Sequence, residues 1–229
     1  KGVEYLFPYA YSVNSIKQRL MDNQLTQVLF NLPAGDWDAG ERGITCHPDR
    51  ISEFRDGVER AIEYAKALNC NQCNTLAGIV PDNVSYELAE ETLIDNLRFA
   101  ADKLKQHDIK LLAEAINTFD IPGFFLNNSA QSIALINKIE SDNLFYQYDI
   151  YHMQRMEGEV ANTIQRHLQS IGHIQLADNP GRHEPGSGEI NYDFLLGFID
   201  KLGYEGWVGA EYMPANGTEQ GLGWLKQYA

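Results

Sequence analysis

No stretch of this chain approaches the roughly 18 consecutive apolar residues that a membrane-spanning helix needs, and no basic-then-apolar leader opens it. Basic residues are scarce. Lys and Arg total 18 against 32 Asp and Glu, and the resulting net charge of −14 argues against the concentrated positive surface that a nucleic-acid backbone demands. Cysteine is limited to Cys46, Cys70 and Cys73, an odd number without secretory context, which argues against a disulfide framework and makes the cytoplasm the default compartment. Cys70-Asn-Gln-Cys73 has C-x-x-C spacing. Without a second pair it reads as two reduced cysteines flanking the start of a buried strand, not as a zinc or redox site. Nucleotide signatures are missing as well: there is no G-x-x-x-x-G-K-[ST] and no Rossmann glycine fingerprint after the first strand. The glycine-rich stretch 181–188 carries the acid Glu184 where a phosphate cradle would not, so no nucleotide cofactor is expected. No G-x-S-x-G elbow supports a serine hydrolase.

What is present is alternation. The apolar fraction of 44% is ordinary for a folded domain, and 229 residues suffice for one large core. Short apolar runs read as strands over 3–7, 26–31, 72–77, 109–114, 144–149, 173–176 and 207–211. Between them, helical periodicity covers 15–22, 51–68, 85–107, 129–139, 160–169, 192–201 and 219–226. Ser12 or Asn14 is available to cap the first helix, and Asp49 or Ser52 the second. The long segment 32–50 has the length of a lid or binding loop. Strict strand-helix alternation indicates parallel strands with helices outside, the α/β class, and specifically a (β/α)8 TIM barrel. Seven units, a start without Met and no composition break predict one barrel domain over 1–229 that lacks its first strand-helix unit. Such a barrel leaves edges unpaired, and a homo-oligomer is one way to cover them.

Four polar residues in or closing short apolar runs are the candidate centre: Glu114, Asp149, Gln175 and Glu211. In a parallel barrel the C-terminal strand ends converge, and that face carries catalysis. Three carboxylates and an amide oxygen are hard donors that would repel one another unless a divalent cation such as Mg or Mn sits among them. The alternative is a set of ordinary ion pairs at a polar barrel mouth. Glu114 and Glu211, three strands apart, also suit a proton shuttle between adjacent carbons, one removing a proton and the other returning it. His152, three residues beyond Asp149, is placed to bond a substrate oxygen or move a proton. Arg182 follows the strand of Gln175 and suits a substrate carboxylate, as does Arg42 from the early loop. His47 and His183 are weaker candidates, and for His107, His167 and His173 helix-surface or strand-start roles suffice.

The segments Asn31-Leu-Pro-Ala-Gly-Asp-Trp37, Phe119-Asp-Ile-Pro-Gly-Phe124, Tyr148-Asp-Ile-Tyr-His-Met-Gln-Arg-Met-Glu-Gly158, Ala177-Asp-Asn-Pro-Gly-Arg182, Glu184-Pro-Gly186 and Gly188-Glu-Ile-Asn-Tyr192 resemble the hydroxypyruvate isomerase family of the xylose-isomerase-like barrel superfamily. The resemblance runs through essentially the whole chain. It implies interconversion of hydroxypyruvate and tartronate semialdehyde in glyoxylate metabolism, with the acid/base pair on Glu114 and Glu211. It also implies metal ligation by Glu114, Asp149, Gln175 and Glu211, and places His152 and Arg182 near a small 2-oxo or hydroxy acid substrate. One departure is Met213, where a lysine is expected. Three other readings remain: an isomerase or epimerase of a related sugar acid such as 2-oxo-tetronate, a non-catalytic sugar-acid binder, and a metal-dependent phosphodiesterase of the same superfamily. The phosphodiesterase would need a histidine-rich site, whereas the corresponding strand reads Cys73-Asn-Thr-Leu76.

Overall fold

A computed structural model describes residues 1–228 and every side chain among them except that of Gln227. Strand and helix alternate from β1 (Gly2–Tyr5) and α1 (Val13–Asp22) through β2 (Thr26–Phe30), α2 (Ile51–Leu68), β3 (Gln72–Thr75) and α3 (Tyr86–Lys105). The second half continues with β4 (Lys110–Glu114), α4 (Ser129–Ile139), β5 (Leu144–Asp149), α5 (Ile150–Met156) and α6 (Val160–His167). It ends with β6 (Ile171–Leu176), α7 (Tyr192–Lys201), β7 (Val208–Ala210) and α8 (Thr218–Gly221).

Every strand pair is parallel: β1 with β2, and β3 through β7 in chain order. The two sheets meet where Leu32 N–H donates to Asn74 O at 2.8 Å, continuing β2 alongside β3. Among the described residues no backbone hydrogen bond joins β7 to β1. The Glu4 side chain bridges that seam, and a Cβ at Gly209 would meet its carboxylate at 2.2 Å, so glycine there is required by close approach.

The helices form where sequence periodicity and caps agree. On α2 the buried positions Phe54, Val58, Ala61, Ile62, Ala65 and Leu68 lie on one face, and left-handed Asn69 ends it. Neither Asp49 nor Ser52 caps this helix; a 3-10 turn over Pro48–Arg50 runs straight into it and no side chain caps it. Ser12, Ser85, Asn128 and Asn191 do cap α1, α3, α4 and α7. Three expected elements are corrected. The strands expected over 3–7 and 72–77 end at Tyr5 and Thr75, and the last helix is a short turn of α8 followed by a 3-10 segment. Apolar helix faces pack on the sheet in two buried clusters, one centred on Leu93, Leu97 and Leu111, the other on Tyr146, Ile164 and Ile174. Truncating a residue such as Leu97 to alanine would cost about 2–5 kcal/mol. Cys46, Cys70 and Cys73 are free and buried, as the reduced reading requires.

Candidate active site

The interior of this barrel is not apolar. Polar side chains two apart on one strand point to the same face, and Gln72 with Asn74, Gln147 with Asp149, and His173 with Gln175 all point inward and are buried. All of these but Asp149 belong to one connected chain, completed by Glu4 and Glu114. Gln72 Nε2 meets His173 Nδ1 at 3.2 Å, and His173 Nε2 meets Glu4 Oε2 at 2.7 Å. Gln175 Nε2 donates to Glu4 Oε1 at 2.9 Å and its Oε1 accepts from Gln147 Nε2 at 2.6 Å. Gln147 Nε2 also donates to Glu114 Oε2 at 3.0 Å, and Asn74 Nδ2 donates to the same oxygen at 3.0 Å. Glu114, at the C-terminal end of β4, is therefore oriented by amides from the strands on either side.

Asp149 ends β5 and begins α5. Its Oδ1 accepts from His152 N–H at 3.0 Å as the helix cap, while its buried Oδ2 has no hydrogen-bond partner. The sequence pattern missed α5 because the strand passes into the helix with no loop between them. The cap fixes His152 one turn in, with Nε2 at 3.7 Å from Asp149 Oδ2 and 3.8 Å from Glu114 Oε1. Ligand atoms of Glu114, Asp149 and His152 lie within 4.8 Å of one another. Glu211 follows β7, its N–H reaching Leu176 O at 3.1 Å. Arg182 donates from Nη2 to Glu211 Oε2 at 2.6 Å and lies 3.7 Å from Asp149 Oδ2.

Arg182 is held in a left-handed backbone conformation (φ 56°) by an ordered loop. Buried Asp178 accepts four backbone N–H groups, from Asn179, Gly186, Gly188 and Ile190. Gly188 passes so close that a Cβ would lie 2.2 Å from Asn179 O. The N–H groups of Gly186 and Gly188 are spent on Asp178.

Electrostatics separate the carboxylates. Burial pushes Glu114 well above the ordinary carboxylate range, and the charges of Glu211 and Asp149 add to it. Burial also raises Glu211, to about 7, with Asp149 and Glu4 adding and Arg182 opposing. Some 30% of the Glu211 side chain stays accessible, and that part faces the cleft it lines. His152 is pushed down to about 4 by burial, so it is neutral at physiological pH. Asp120, below the cleft rim, is raised by burial, but hydrogen bonds from Asn117, Tyr151 and Arg155 outweigh that and hold it below the usual range.

These groups open into a cleft of about 570 Å³ walled by Leu6, Trp37, Ile116, Tyr151 and Met213. Of the expected site residues, Glu114, Asp149, His152, Arg182 and Glu211 come together. Gln175 lies deeper, its amide engaged with Gln147 and Glu4. Arg42 does not reach the cleft: it lies 4.3 Å from the Trp37 ring centroid and donates to Trp37 O and Glu41 O. His47 and His183 bond the backbone carbonyls of Ile79 and Met213. His173, expected to need no more than a strand-start role, is fully buried in the polar chain. Glu4, Asn74, Asn117 and Gln147 were not singled out by the sequence. The i, i+2 spacing of polar residues within otherwise apolar strands was the available signal for Gln147 and Asn74.

Comparisons with known proteins agree with this architecture. The family model described as xylose isomerase-like TIM barrel matches residues 1–228. Hydroxypyruvate isomerase of Escherichia coli is 54% identical over 228 residues, 100% of this chain and 88% of the relative. A 2-oxo-tetronate isomerase of Cupriavidus necator is 44% identical over 228 residues, again 100% of this chain and 88% of the relative. The crystal structure of a family 2 AP endonuclease from Brucella melitensis superposes with a TM-score of 0.96 at 43% identity, over 99% of this chain and 88% of that one.

Proposed function

Since the chain belongs to the xylose isomerase-like TIM barrel family, we propose that this cleft interconverts hydroxypyruvate and tartronate semialdehyde, with Glu114 and Glu211 as its proton-transfer pair. The observation that carries the reading is the meeting of two raised carboxyls with one arginine and one neutral histidine in a single cleft. The 54% identity to the E. coli hydroxypyruvate isomerase supports the substrate, and the 2-oxo-tetronate isomerases keep a four-carbon acid as the second reading.

In the forward direction a proton leaves C3 of hydroxypyruvate, an enediolate forms, and a proton is returned to C2; the hydroxyl proton moves from O3 to O2, so composition is unchanged. Glu211, its carboxyl raised to about 7 and open to the cleft, serves as the base. Glu114, whose carboxyl burial shifts toward the protonated form, gives its own proton to the neighbouring carbon, and proton exchange with solvent then resets the two carboxyls. Arg182 receives the substrate carboxylate, as a bidentate guanidinium does well. Cleft walls of Trp37, Tyr151 and Ile116 exclude water and strengthen each of these contacts.

The donor set also fits a divalent cation. Asp149 Oδ2 is buried without a hydrogen-bond partner, has only Arg182 as a nearby cation at 3.7 Å, and lies near Glu114, an arrangement that further positive charge would relieve. Glu114, Asp149 and Glu211 would hold it, the Gln175 amide oxygen being engaged by Gln147, and when bound it would offset the carboxylate charge and stabilise the enediolate oxygens. A phosphodiesterase reading is less well supported: among the described residues one acidic and histidine cluster is found, and the chain carries a net charge of −14. No helix among the described residues is long and apolar enough to cross a membrane.

The test is proton NMR of hydroxypyruvate in deuterated buffer, with and without chelator. Tartronate semialdehyde carrying solvent deuterium is the expected product, and its loss on chelation is the expected sign of a required metal. Faster turnover of 2-oxo-tetronate than of hydroxypyruvate would move the assignment to the four-carbon acid.

A further inference from the structure

The loop after β4 places one amide where its orientation is not free. Asn117 is fully buried. Its Oδ1 accepts two backbone hydrogens, from Phe119 N at 3.1 Å and Asp120 N at 2.8 Å. Its Nδ2 donates to Asp120 Oδ2 at 2.9 Å. Turning the amide over would set its oxygen against the Asp120 carboxylate and its NH2 against two N–H donors. All three contacts would be lost at once and replaced by repulsions, in a site where a buried polar group left unmet is costly. The amide therefore has one orientation, and its remaining N–H points at His152 Nδ1, 2.6 Å away.

A donor at that distance requires an acceptor. Nδ1 of His152 must carry a lone pair, which excludes both the Nδ1–H tautomer and the imidazolium. The ring proton then lies on Nε2, the nitrogen facing the cleft between Glu114 Oε1 and Asp149 Oδ2. Both carboxylate oxygens lie beyond hydrogen-bond range at 3.8 and 3.7 Å. We propose that Asn117 is a positioning residue that locks His152 as the Nε2–H tautomer, making it a neutral donor to a substrate oxygen and removing it from the metal ligands.

The tautomer follows from the contacts alone; the donor role rests on the isomerase reading. Tyr151 and Arg155 brace the arrangement, since both bond Asp120, the carboxylate that orients the amide. With Nε2 protonated, the donors left for a cation are oxygens, and oxygen-only sites suit Mg or Mn better than zinc.

Long-range proton–nitrogen NMR on protein labelled with 15N-histidine tests this without any turnover. The His152 signals are identified by their disappearance in His152→Gln. Wild type is expected to show Nε2 protonated and Nδ1 bare at neutral pH. A protonated Nδ1 in wild type would overturn the proposal whatever the enzyme's substrate proves to be. Asn117→Asp replaces the donor with an acceptor and is expected to move the proton to Nδ1 and to lower kcat, because Nε2 would no longer donate to the substrate. Because the new carboxylate would face Asp120, Asn117→Ala is the second variant, expected to populate both tautomers. An unchanged tautomer in the folded alanine variant would show that Asn117 does not set it.

Discussion

Glu114 and Glu211 face one cleft from strands three apart, and the protein holds them by different means. Glu114 is buried and receives two neutral amides, Asn74 and Gln147, from the strands flanking its own. Glu211 stands one residue beyond a three-residue strand, is 30% exposed, and is held by a single charged loop residue, Arg182. The first environment is made of strand geometry and cannot change without moving the sheet. The second depends on a guanidinium that a substrate carboxylate would also claim. One carboxyl is thus fixed by the scaffold, and on the proposed role of Arg182 the other would respond to what enters the cleft.

The comparison breaks most severely if either carboxyl is removed. Glu114→Gln and Glu211→Gln are each expected to lower kcat by on the order of 10³-fold, the scale of a general acid or base. Circular dichroism should show the fold retained, and near-normal turnover by either variant in the NMR assay would sink the two-carboxyl mechanism.

Burial of neutral His152 sets a pH-dependent contribution to stability on the Glu114 side. Its folded pKa is about 4 against an ordinary 6.5, so below 6.5 the unfolded chain takes up a proton that the folded one refuses. The contribution is complete above 6.5 and falls as pH drops toward 4, by on the order of 3 kcal/mol. Urea unfolding of wild type and His152→Gln should show the wild-type advantage shrinking across that window. A constant difference would mean that His152 is charged in the folded state.

Arg182→Lys sharpens the contrast on the other wall. Arg182 lowers the Glu211 pKa, so a weaker partner leaves it above its value of about 7. We expect kcat/KM to fall by about 100-fold, in line with losing a bidentate carboxylate contact, and its acid limb to move to higher pH. By the same sign, the acid limb of kcat should lie above that of kcat/KM in wild type, because bound substrate occupies the arginine. Coincident limbs in a pH-rate series would mean that Arg182 keeps Glu211 throughout. The smallest effect is expected from Met213→Lys. Met213 is 62% exposed at the cleft rim, and a new cation there should change KM by about threefold or less.

Much of this was legible in the sequence, for identifiable reasons. Short apolar runs such as Leu111-Leu-Ala113, set between helical segments, read as strands of a covered sheet, and so their polar ends marked the mouth. Arg182 was readable because it follows the strand of Gln175 within a turn-rich segment. Gln175 was expected beside the carboxylates as a ligand, but its amide is shared between Gln147 and Glu4, a relation set by register between β5, β6 and the distant β1. His173 was discounted because nothing local predicts a partner in residue 4. The start of α5 was hidden because Asp149 closes a strand and caps a helix at once. Local pattern reports which face a side chain takes; it does not report which distant side chain will be waiting there.

The bridge from Glu4 to His173 and Gln175 has a consequence for how the chain reaches its native state. These contacts join residues 169 and 171 positions apart. Helices and neighbouring strand pairs can form from nearby sequence, but the polar ring that orients Glu114 is completed only when the first strand meets the sixth. Loop closure of that span is expensive in chain entropy and is compensated only once the contacts exist. On the ribosome, Glu4 must wait unpaired until nearly the whole barrel has emerged, so catalytic competence should be among the last properties the folding chain acquires.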